Sequence, residues 1–426
     1  MKESELAGLV EAGILSEETA ERIRESQRRK KAFRKDRVAL LLALLGAALL
    51  GLGIILLFAA NWRRLGKTAR LALAFLPLLT GQGPCLYTLL RKEDSPAWRE
   101  ASSTFLFLAV GAALALVGQV YHTGGYLASF LALWMLLGLP LVYLMRSGTT
   151  ALLYLAGISF TTRPGVFSYL GFFAYLIFPL LFLAILPFLL KAWKERPKGA
   201  FTLASTWVLA ASFLWALGEP ATAARDSLFL GVVQTLFSAF LLLGFLGPFR
   251  EIKGARNGLL FLGNSGTLLL FLFVTALKFP EWALSPEKGF FTRFPFQAAL
   301  WGFTTLAALL LLALFLFQRS PRDLPPFALA FLLLDALLLF PPPPPARTGL
   351  LCAFLFLSGF RLSYTGAMKG KQGLLAQGLL VMITAAALVF FMDFLPFAVR
   401  GAAFLFAGGL CLAPVFLFRK KRKVHA

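Results

Sequence analysis

From Val38 to Ala60 the chain runs for about 23 residues without a charge, VALLLALLGAALLGLGIILLFAA, and stretches of this kind recur to its far end. In hydrocarbon every backbone N–H and C=O needs a partner inside the protein, so such stretches become α-helices or the strands of a closed barrel. Continuous apolar character, with no alternation between apolar and polar positions, selects the helix. Spans are predicted near 38–60, 71–90, 103–120, 127–144, 148–161, 167–190, 200–217, 228–246, 258–277, 296–317, 325–340, 348–364, 373–392 and 397–418. This is an all-α polytopic integral membrane protein of about 14 spans, or about 12 to 13 if the short fifth and twelfth are half-helices. With 59% apolar and 15% charged residues, little chain is left for a large soluble catalytic domain.

The net charge of +22 would point to nucleic acid in a soluble chain. Here the basic residues stand at the ends of apolar runs, where they meet anionic lipid headgroups and fix orientation, and they form no clustered face for nucleic acid. With the amino terminus inside, 31 of the 42 Lys and Arg fall in inward segments, as the positive-inside rule requires. Both termini are therefore expected in the cytoplasm. One loop runs against the bias: Arg63, Arg64, Lys67 and Arg70 follow the first span on the assigned outer side.

Four regions follow: a basic helical tail (1–37), an N-terminal membrane region (38–144), further spans (145–418) and a basic tail (419–426). In the first tail Ser16 can cap a helix whose first turn carries Glu17 and Glu18. The run RRKKAFRKDR, Arg28 to Arg37, then precedes the first span, which is too long and too late for a cleaved leader and is expected to stay in the membrane. Cys85, Cys352 and Cys411 all sit in apolar segments, so neither a disulfide framework nor a zinc site is expected. No phosphate-binding loop, dinucleotide fingerprint or H-E-x-x-H pattern occurs, and no cofactor is predicted.

The end of span 1 reads GLGIILLFAANWRRLGKTAR, the end of span 3 reads GQVYHTGG, and the tail contains LVEAGILSEETAERI. With Gly51, Gly53, Ala59, Ala60, Asn61 and Trp62 in the first motif and Gly118, Gln119, Tyr121, His122 and Gly124 in the second, the first third of the chain resembles a bacterial family of predicted membrane proteins, domain of unknown function 2157. The resemblance implies a bacterial cytoplasmic membrane location and assigns no activity and no catalytic residue.

An acid at the centre of a spanning helix costs about 2.5 to 3.5 kcal/mol on insertion scales. Asp335, in FALAFLLLDALLLF, is the one acid well inside an apolar run. It reads either as a proton, cation or amine site, or as a structural acid bonded to a neighbouring helix. His122, beside Gln119 and Tyr121, reads either as a proton-transfer group or as a helix-end cap. Arg63, Arg64, Asp393 and Arg400 belong to the same outer side, and they read either as one outward cavity shared with His122, Gln119 and Asp335, its arginines able to hold a phosphate or carboxylate, or as residues that collect at a membrane interface in any case. Two further features are expected to be local: GNSG at Asn264 and Ser265 as a helix break or a packing contact, and Pro341 to Pro345 as a non-helical spacer.

Three functions stay open: a transporter or flippase-like protein for a small anionic or lipid-linked substrate; a transferase acting on a lipid-linked substrate at the outer leaflet with His122 as base; and a non-catalytic subunit or envelope-stress factor working through its tail. Whether the chain is an enzyme, and its oligomeric state, are not legible.

Overall fold

The computed structural model describes residues 16–21, 66–122, 127–162, 176–222, 226–252, 254–276, 295–340, 342–390, 400–401, 405 and 408–409. The chain divides into two units, Met1–Leu73 and Ala74–Ala426. In the first, Ser16 caps a helical turn over 17–21 as expected, its Oγ accepting the Thr19 N–H at 3.3 Å. The first predicted span lies outside the described residues.

Among the described residues twelve α-helices follow: α1 (Lys67–Arg91), α2 (Pro96–Tyr121), α3 (Leu127–Met145), α4 (Gly148–Ser159), α5 (Ile177–Glu195), α6 (Ala200–Thr222), α7 (Asp226–Phe245), α8 (Gly258–Ala276), α9 (Pro295–Gln318), α10 (Ala330–Leu339), α11 (Pro344–Met368) and α12 (Gln372–Phe390). Each coincides with one predicted span, from the second to the thirteenth, and no strand occurs among the described residues. Eight of the helices are long and apolar enough to cross a membrane; Ser129–Met145, Phe229–Phe245 and Pro326–Leu339 are shorter apolar helices. The fifth predicted span is short as expected: α4 has 12 residues and ends in a single 3-10 turn, Phe160–Thr162.

One local expectation is corrected, and at GNSG one of two alternatives falls away. The proline run is partly helical, because α11 begins at Pro344 and reaches 25 residues. The first turn of a helix needs no N–H donor, and a proline φ already suits it, so Pro344 and Pro345 start the helix where a spacer was expected. The twelfth predicted span is thereby long, and no half-helix. At GNSG there is no break: Asn264 Nδ2 donates to the Leu260 carbonyl at 3.0 Å and Ser265 Oγ to the Phe261 carbonyl at 2.7 Å, both within α8.

Helix α7 is the hub. Every residue from Leu230 to Leu236 is buried, and two full turns without an exposed face require neighbours all round. Those neighbours are α6, α8, α9 and α10. By contrast, α9 leaves Phe303 70% and Phe317 90% exposed, an apolar face suited to lipid. Helices α11 and α12 form the tightest pair, meeting at Gly359, Gly366 and Gly378, where a Cβ would run into the opposite backbone.

Candidate functional site

Asp335 lies halfway along α10 and is only 6% exposed. Opposite it, α9 presents Trp301 and Thr305, one turn apart and so on the same face. The Trp301 indole Nε1–H donates to Oδ1 at 2.9 Å and the Thr305 hydroxyl donates to Oδ2 at 3.0 Å. Both carboxyl oxygens are thus engaged by neutral donors, and no ion pair reaches Asp335 among the described residues. The indole fits because α7 carries Gly231 there; a Cβ at that position would stand 2.8 Å from Nε1.

A second group of buried polar side chains continues along α7. Gln234 Nε2 donates to Ser238 Oγ at 3.2 Å and to Thr267 Oγ1 on α8 at 3.1 Å, and Ser238 Oγ donates to the Phe327 carbonyl at 3.3 Å. Sequence reasoning did not single out Gln234. An amide in the apolar run FLGVVQTLFSAF is the signal that could have found it.

The outer-side residues are placed differently. His122 is exposed, adopts a left-handed conformation at φ 51°, and closes α2: its backbone N–H donates to the Gly118 carbonyl, and its Nδ1–H donates to the Gln119 carbonyl at 2.8 Å. Gln119 is exposed and Arg400 half-buried, while Arg63, Arg64 and Asp393 lie outside the described residues. Helix α2 packs on α3 and α4, α10 packs on α7, and no hydrogen bond joins His122 to Asp335.

At the other end of α2 the helices enclose a feature that the sequence reading missed. The starts of α2, α4 and α6 and the ends of α3 and α5 surround a cavity of about 640 Å³, with Arg99, Arg146, Lys191 and Arg196 in its lining. Glu100 also lines it, yet its carboxylate is turned to the start of α4, where Oε2 accepts the Ser147 hydroxyl at 2.6 Å and the Thr149 N–H at 2.8 Å and Oε1 accepts the Gly148 N–H at 2.9 Å. The four cations come from three helix ends, Lys191 and Arg196 sharing that of α5, so in sequence each reads as an ordinary orientation signal.

An all-helical assembly with this many apolar helices, a buried acid and basic helix ends defines a multi-pass α-helical membrane protein. Residues 7–151 match the family model described as predicted membrane protein, DUF2157, the same third that carries the two motifs. No curated protein and no solved structure matches the chain.

Proposed function

We propose that the protein is a transporter or flippase-like protein of the bacterial cytoplasmic membrane, with about fourteen spans and both termini inside, acting on a small anionic or lipid-linked substrate. The observation that carries this reading is the setting of Asp335: buried, held through both oxygens and, among the described residues, without an ion pair. Trp301 can only donate, which reserves Oδ1 as an acceptor, whereas the Thr305 hydroxyl can turn from donor to acceptor. A proton can therefore be taken up on Oδ2 and released again without either hydrogen bond being lost, as a coupling site requires. Arg63, Arg64, Arg400, Asp393, Gln119 and His122 would form the outer approach to it, with the arginines drawing the anion.

The test is leaflet movement of a fluorescent phosphatidylglycerol in proteoliposomes under an imposed pH gradient. The wild-type protein should move the probe with the gradient and Asp335→Asn should not. No gradient-driven movement by the wild type would refute transport of this lipid class, and equal movement by the variant would remove Asp335 from the mechanism.

One observation favours the transferase reading. With Nδ1–H directed at the Gln119 carbonyl, the neutral tautomer of the exposed His122 ring has Nε2 as its acceptor, the arrangement a general base needs. Loss of group transfer from a lipid-linked donor in His122→Ala, with leaflet movement absent in the wild type, would select that reading.

A further inference from the structure

The cavity between the ends of α2, α3, α4, α5 and α6 concentrates positive charge that the protein itself leaves unanswered. Two acids line it with the four cations. Glu100 is spent on the Ser147 hydroxyl and the first N–H groups of α4, so its charge is offset by that helix end. Glu195 stands 3.9 Å from Lys191, an exposed pair on one helix face, and such pairs hold each other weakly. Arg146 and Arg196 have no side-chain hydrogen bond or ion pair among the described residues, and Arg99 carries a buried Nε without a hydrogen-bond partner.

Solvated cations that only orient a span need neither a cavity nor a half-buried guanidinium. Three arginines lining one space are instead suited to a tetrahedral oxyanion, which planar guanidinium forks grip through paired N–H donors. The rest of the wall fixes the ligand class further: Tyr143, Phe188 and Phe201 line the same space, giving an apolar side beside the charged one. We propose that this cavity is a binding site for a phosphate ester, seated among Arg99, Arg146 and Arg196. The chemistry is shared by an anionic phospholipid headgroup and by a soluble phosphate compound. The site lies apart from Asp335, and the proposal does not rest on transport.

The experiment is native mass spectrometry of the full chain from micelles doped with equal phosphatidylglycerol and phosphatidylcholine, with a titration of inorganic phosphate. Wild-type protein should retain phosphatidylglycerol in preference to phosphatidylcholine, or lose that preference as phosphate fills the site. Retention that millimolar phosphate does not displace identifies a lipid headgroup, and displacement identifies a soluble phosphate ligand. Arg146→Gln and Arg196→Gln, both at exposed positions, should each weaken binding about tenfold, and the lysine variants should recover only part of it, because a point charge replaces the fork. Arg250→Gln, an exposed cation outside the cavity lining, should leave binding unchanged. Equal retention of both lipids without any effect of phosphate would overturn the proposal, as would an equal loss in Arg250→Gln, which would mark general charge attraction.

Discussion

Gly231 and Trp301 meet so closely that a methyl group on the glycine would lie 2.8 Å from the indole nitrogen, the atom that donates to Asp335. Gly231→Ala should therefore push the indole off its carboxylate and destabilise the protein by about 1 to 3 kcal/mol. In a Trp301→Phe background the same change should cost clearly less, since the nitrogen is gone. Thermal unfolding of the four proteins of this cycle measures the coupling, and additive effects would show that the contact does not matter.

At Asp335 the amide and the aliphatic replacement should part company. Asp335→Asn keeps an acceptor for Trp301 and can donate to the Thr305 hydroxyl, so its unfolding midpoint should stay near that of the wild type. Asp335→Leu strands the buried indole N–H and should cost about 1 to 3 kcal/mol. Equal midpoints would contradict the bonding described.

Glu100, one turn into α2, ties that helix to the start of α4 through three donors. Glu100→Ala should cost about 1 to 3 kcal/mol, and Ser147→Ala less, because the Gly148 and Thr149 bonds survive. Denaturant or thermal unfolding of both variants checks the order.

Gly378 has the Gly359 carbonyl oxygen 2.6 Å from where its Cβ would be. Gly378→Ala must part α11 from α12 and should lower stability by about 1 to 3 kcal/mol. An unchanged midpoint would mean that the two helices are not packed this closely.

The cavity gathers the loops before α2, α4 and α6, and the topology proposed above would put them in the cytoplasm. A membrane-impermeant maleimide should label Lys198→Cys only in inverted vesicles and Tyr121→Cys only in intact spheroplasts. The opposite pattern would reverse the topology.

Helix positions were legible because lipid leaves the backbone little choice, so apolar runs and helices coincide among the described residues between Lys67 and Phe390. Asp335 was legible for the same reason: an ionisable group in an apolar run stands out without any knowledge of contacts. Its partners were not, since Trp301 and Thr305 lie some thirty residues away and hydropathy does not encode which helices touch. Arg99, Arg146 and Arg196 were each visible, yet they occupy three separate helix ends, and only packing joins them. Pro344 was misjudged because the cost of proline depends on its place in a helix, which the run PPPPP does not reveal.

The burial of α7 on every side from Leu230 to Leu236 has a consequence for biosynthesis. Its polar groups Gln234 and Ser238 leave the ribosome before the segments that complete their bonds: Thr267 arrives soon after, but the Phe327 carbonyl that accepts from Ser238 follows α7 by about 80 residues, several seconds at ordinary elongation rates. For that interval the centre of the finished protein is one of its edges. Nascent chains stalled before Pro326 should accordingly hold α7 near the insertion machinery, and chains extended past Leu339 should release it.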